Sequence, residues 1–177
     1  LLMGYANTFL AMGAASFAKT AAEAGVDAVI VVDMPPEEGG DFFDACRAAG
    51  VAPVLLAAPT TTPERLATLA AGTCGFLYYV SLTGVTSVRS ELAAGIEEGL
   101  RAAQRAGDVP VCVGFGISTP AHAREVGRYA DGVVVGSAIV DRIEAAESRA
   151  EAVDAIAGFV AALKAPLREP RPARQAR

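Results

Sequence analysis

The sequence predicts an α/β fold of repeated strand–helix units, six of the eight that close a (βα)8 barrel. Three observations carry this. Apolar, often β-branched runs alternate with alanine-rich amphipathic stretches along nearly the whole chain. The runs are apolar without alternation, as in parallel strands covered on both faces. Two glycine turns with the look of anion sites follow the last two strands, where such barrels grip phosphate. An open, doubly wound parallel sheet also accommodates six strands; the position of the glycine turns favours the barrel.

The elements follow in order. Leu1 to Tyr5 reads as the inside of a strand, followed by a helix at about Ala14 to Ala24. Ala28 to Val32 (AVIVV) is a strand, ended by Asp33-Met34-Pro35-Pro36-Glu37-Glu38. A helix near Gly39 to Ala49 closes on Gly50. Val51 to Ala57 (VAPVLLA) is the next strand, with Pro53 near its start. Thr60-Thr61-Thr62-Pro63-Glu64 supplies a cap and a first-turn proline for a helix to Ala71. Gly75 to Val80 (GFLYYV) is a strand, separated by the loop Ser81 to Ser90 from a helix near Glu91 to Ala106. Val111 to Val113 and Gly132 to Val135 are the last strands, with a helix between them that Ser118-Thr119-Pro120 caps. Ala138 to Ala145 and Glu151 to Lys164 read as helices. From Pro166 the chain is Pro/Arg-rich without periodicity, so residues 1–165 are expected to form the domain and 166–177 a disordered tail.

Composition narrows the function. With 53% hydrophobic residues the 177-residue chain can build a core. A net charge of −5 argues against a nucleic-acid groove. No apolar stretch approaches the roughly 20 residues of a membrane span, and the start lacks the charge pattern of a signal peptide. Cys46, Cys74 and Cys112 are odd in number, scattered and without metal-ligand spacing, which suggests reduced thiols in a cytoplasmic protein. His122 is the only histidine, so neither a histidine-based triad nor a zinc site is expected.

The chemistry concentrates in Gly114-Phe115-Gly116-Ile117-Ser118 and Gly136-Ser137-Ala138. A strand that ends in glycine and turns into a helix leaves backbone N–H groups bare at the positive end of the helix dipole. Glycine lets the backbone approach a phosphate closely, and the Ser137 hydroxyl adds a donor. Either turn alone could be no more than a tight βα connection; two on successive units make phosphate the better reading. Asp33, at a strand's C-terminal end, is open to two roles: a catalytic group or the acceptor of a local Asx hydrogen bond.

Four motifs in order carry a resemblance. Val32-Asp33-Met34-Pro35-Pro36-Glu37-Glu38, Tyr78-Tyr79-Val80-Ser81-Leu82-Thr83-Gly84-Val85-Thr86, Val113-Gly114-Phe115-Gly116-Ile117-Ser118 and Asp131-Gly132-Val133-Val134-Val135-Gly136-Ser137-Ala138 together resemble the tryptophan synthase α subunit. The resemblance implies a TIM-barrel lyase that cleaves indole-3-glycerol phosphate to indole and glyceraldehyde 3-phosphate in tryptophan biosynthesis. It implies an α2β2 partnership with a β subunit, which carries pyridoxal phosphate; the α subunit itself holds no cofactor. Aligned on these motifs, the chain begins at the third strand, so the two catalytic carboxylates are expected upstream and none is assigned here. The fragment is expected to be inactive alone.

By the same resemblance, Gly114, Phe115, Gly116, Gly136 and Ser137 grip the phosphate. Tyr5, Ile30, Leu56, Tyr78 and Phe115 match positions that line the indole slot, although each could be ordinary barrel filling. Thr86 joins the substrate contacts, and Gly84, Val85, Thr86 and Ser87 match a mobile lid. Ser87 departs from the glycine usual there; if that position needs a positive φ, serine costs roughly 1 kcal/mol. Two other readings fit the turns. One is a non-catalytic phosphate-binding, β-subunit-interacting module. The other is a different phosphosugar barrel enzyme, which the lack of a strand lysine disfavours.

Overall fold

The computed structural model describes residues 1–80, 91–114 and 116–168, with the backbone alone for 91–96. Two compact units share the chain, one of residues 1–78 and 102–110, the other of 79–101 and 111–177, the division falling within one strand and one helix.

In the first unit, β1 (Leu2–Gly4), β2 (Ala28–Val31) and β3 (Ala52–Pro53) form a parallel sheet in that order. Parallel neighbours require crossovers, and helices supply them: α1 (Ala6–Leu10) and α2 (Ala14–Glu23) between β1 and β2, α3 (Gly40–Ala48) between β2 and β3. All four residues of β2 are buried, as its unbroken apolar run requires. On the helix side Phe17 stacks on Phe42 at 5.5 Å and meets Phe9 at 4.8 Å, joining α1, α2 and α3 through one aromatic cluster.

The run expected as one strand over 51–57 is two short ones, β3 and β4 (Leu56–Ala57). The interruption has a cause. Pro53 has no N–H, and the Leu55 N–H donates to the Thr73 hydroxyl at 2.9 Å. That hydroxyl donates in turn to the Phe76 carbonyl at 2.7 Å, so a buried threonine stands where a ladder partner would be. Next come α4 (Pro63–Gly72), whose N-cap Thr62 accepts from the Arg65 N–H, and β5 (Leu77–Val80). The Tyr78 N–H donates to the Leu55 carbonyl at 3.0 Å. Helix α5 (Glu91–Ala106) follows.

The second unit holds β6 (Val111–Gly114) and β7 (Gly132–Val134), paired parallel in the register Cys112↔Gly132, Val113↔Val133, Gly114↔Val134. Asp131 secures the start of this pair: its N–H donates to the Val111 carbonyl, and its carboxylate accepts from the Val111 N–H, both at 2.9 Å. Helix α6 (Pro120–Gly127) connects the strands and is capped by Thr119, whose hydroxyl accepts from the His122 N–H. After β7 come α7 (Ser137–Ala145) and α8 (Arg149–Lys164), the latter capped by Ser148.

The element order thus follows the expected strand–helix repeat, with two additions. The sequence reading missed α1, a five-residue helix with no cap of its own. At the start of the stretch expected as a tail, Pro166–Arg168 form a 3-10 turn with Pro166 buried, packed near α6 and α8. Residues 169–177 lie outside the described residues.

Candidate functional site

In the second unit, the two glycine turns leave neighbouring strands at the same end. Gly114 and Val134 are register partners, so the chain departs β6 toward Gly116 and β7 toward Gly136 side by side. Gly116 takes φ +72°, a left-handed conformation that a side chain would strain. Gly136 differs, with φ −115° at the N-cap of α7. A Cβ there would meet no atom of the described residues within 4 Å, so their packing does not demand glycine.

Gly136 offers no side-chain cap to the helix it opens. Its carbonyl accepts from the Ile139 N–H at 2.8 Å. The N–H groups of Ser137 and Ala138 have no partner among the described residues. Two free donors and a hydroxyl at the positive end of a helix are suited to an anion. Phe115 lies outside the described residues, as do Gly84, Val85, Thr86 and Ser87. His122 is half-buried, with Nδ1 3.5 Å from the Ser118 N and Oγ.

In the first unit, a cavity of about 350 Å3 lies at the C-terminal ends of β2 and β4. Its walls are mostly apolar: Val31, Met34, Pro35, Pro36, Leu56 and Leu69 among them, with Asp33, Thr61 and Arg65 as polar members. Of the expected slot residues, Leu56 lines this cavity, whereas Ile30 is buried in β2 at 2% exposure. Tyr78 is buried in β5, and burial raises its hydroxyl above the ordinary phenol range. Tyr5 is 61% exposed where β1 gives way to α1.

Asp33 makes a bond, though not the local Asx bond its turn suggested. Its Oδ1 accepts from the Ala6 N–H at 2.7 Å, across 27 residues. Arg65 had no role in the sequence reading. Its guanidinium grips both carboxylate oxygens of Glu37, joining the loop after β2 to the first turn of α4. No short-range pattern reveals that pair, because its members are 28 residues apart. The described residues contain no group of His, Cys, Asp and Glu able to hold a metal, and no helix among them is long and apolar enough to cross a membrane.

Parallel βα units with a glycine turn after each of two paired strands are the architecture of the (βα)8-barrel proteins. The comparisons narrow the class. A family profile described as tryptophan synthase alpha chain matches residues 1–167. The chain is 51% identical over 168 residues to the tryptophan synthase alpha chain of Rhizorhabdus wittichii, covering 95% of itself and 61% of that relative. Against the same protein of Caulobacter sp. strain K31, identity is 53% over 146 residues, 82% of this chain and 53% of the relative. The crystal structure of the alpha chain from Legionella pneumophila superposes with a TM-score of 0.81 at 33% identity, over 94% of this chain and 62% of that one. A Pyrococcus furiosus structure, from work on mutual activation of the tryptophan synthase a2b2 complex, gives 0.79 at 38%, over 92% and 65%. The chain belongs to the tryptophan synthase alpha chain family. It spans roughly half to six-tenths of the length of the curated relatives it matches.

Proposed function

We propose that this chain serves the lyase reaction that cleaves indole-3-glycerol phosphate to indole and glyceraldehyde 3-phosphate in tryptophan biosynthesis. The observation that carries the reading is the Gly114↔Val134 register, which sets two glycine turns side by side at the ends of paired parallel strands. A phosphate dianion is matched there by the Ser137 and Ala138 amides and the Ser137 hydroxyl, with Gly114, Gly116 and Gly136 leaving room for its close approach. Phe115, between Gly114 and Gly116 in the sequence, is proposed as a further contact.

The reaction is a retro-aldol cleavage: a base takes the substrate hydroxyl proton as the carbon–carbon bond breaks, and an acid protonates indole C3. Neither role is assigned to a residue of this chain. Tyr5, Tyr78 and Thr86 are proposed substrate contacts, and Gly84 to Ser87 a closing lid. The proposed partner is the β subunit in an α2β2 complex, with pyridoxal phosphate on the β side. The proposed setting is the cytoplasm.

Titrating the 177-residue chain with glycerol 3-phosphate, followed by amide NMR, tests the phosphate assignment. The expected result is saturable shifts centred on Gly116, Gly136, Ser137 and Ala138. Saturation centred elsewhere, or none at millimolar ligand, removes the reading.

A further inference from the structure

We propose that Arg142 is a positioning residue for the phosphate grip, acting through Phe159; the inference rests on the phosphate reading above. Helix α7 presents Ser137 and Ala138 at its first turn, yet little of it is packed. Ala138 is its one buried residue, whereas Val140 and Ile143 are both 50% exposed. Helix α7 runs against α8, but with so small an apolar footprint its exact placement depends strongly on each further contact.

Arg142 makes that contact. Its guanidinium carbon lies 3.4 Å from the centroid of the Phe159 ring, which is 8% exposed on α8. A cation over a largely buried ring face is attracted by the ring quadrupole, and half-burial of Arg142 shields it in part from competing water. The same guanidinium donates to the Ala138 carbonyl, within the turn that carries the free amides. One side chain therefore ties the first turn of α7 to the body of α8. Arg142 belongs to the last turn of α7, at the opposite end from the Ser137 and Ala138 amides. Its influence is on where those amides sit.

The test compares inorganic phosphate affinity at fixed ionic strength for the unsubstituted 177-residue chain, Arg142→Leu, Arg142→Lys, Phe159→Leu and the Arg142→Leu/Phe159→Leu double variant. Far-UV circular dichroism verifies folding of each. Arg142→Leu and Phe159→Leu are each expected to weaken phosphate binding by about five-fold, the range of one partly desolvated cation–π contact. The double variant should be no weaker than either single one, because both remove one contact. Arg142→Lys should recover part of the loss. Amide exchange at Ile139 and Val140 should speed up in Arg142→Leu while α6 amides stay unchanged, a readout independent of ligand.

Unchanged affinity in Arg142→Leu, with the unsubstituted chain binding, overturns this inference alone. A loss in Arg142→Leu with none in Phe159→Leu overturns it too, leaving a plain charge effect. No binding by the unsubstituted chain overturns the phosphate reading and this inference with it.

Discussion

The Asp33 carboxylate accepts a hydrogen bond from the Ala6 N–H at 2.7 Å, joining the loop after β2 to the start of α1. Helix α1 has five residues and no side-chain cap at Tyr5, so Asp33 supplies from 27 residues away what the local sequence lacks. A carboxylate at a helix N-terminus is also favoured by the dipole. The same side chain faces the cavity of the first unit, which is why its structural and chemical roles are hard to separate from sequence.

Asp33→Ala is accordingly expected to lower stability by about 0.5–1 kcal/mol, a charge-assisted hydrogen bond discounted for its exposure. Asp33→Asn keeps an acceptor oxygen and should lose less. Urea unfolding midpoints of the two variants check this. No loss in Asp33→Ala would mean that the bond contributes nothing measurable.

Glu37 and Arg65 give the first unit a pH dependence whose sign follows from the geometry. The bidentate hydrogen bond from Arg65 holds the Glu37 carboxyl below the ordinary carboxylate range, with a smaller contribution from the backbone. A carboxyl with its folded pKa depressed stabilises the fold above its unfolded value, and that stabilisation is lost as pH falls through the folded one. The unsubstituted chain should therefore lose more thermal stability than Arg65→Met on going from about pH 5 to pH 3. In Arg65→Met the Glu37 carboxyl should move upward in a carbon-13 NMR titration. Glu37 is exposed and Arg65 partly so, and the stability difference should shrink with added salt.

Tyr79 and Gly99 predict a compensating pair. The Tyr79 hydroxyl is buried with no hydrogen-bond partner among the described residues. A Cβ built at Gly99, in the middle of α5, would collide with that oxygen. Gly99→Ala should destabilise by about 1–3 kcal/mol through overpacking, despite alanine's better helix propensity. Tyr79→Phe should be neutral or slightly stabilising, since it removes a desolvated hydroxyl. In the double variant, Tyr79→Phe should recover part of the Gly99→Ala loss. A double-mutant cycle from denaturant unfolding measures the recovery, and strict additivity would sink the account.

Much of this molecule is written locally. The strand–helix repeat is legible because buried parallel strands demand unbroken apolar runs such as Ala28 to Val31, and because caps such as Thr62 and Thr119 act within three residues. The two glycine turns are legible for the same reason: the backbone conformation of Gly116 and the uncapped start of α7 are short-range properties. What needed the tertiary structure is every bond between distant segments. Thr73 takes the Leu55 amide and splits one expected strand in two; Asp33 caps a helix that nothing nearby announces; Arg65 clasps Glu37, and Arg142 lies over Phe159. Such partners depend on how strands and helices are stacked. Periodicity and capping report only what a residue does within its own turn or strand.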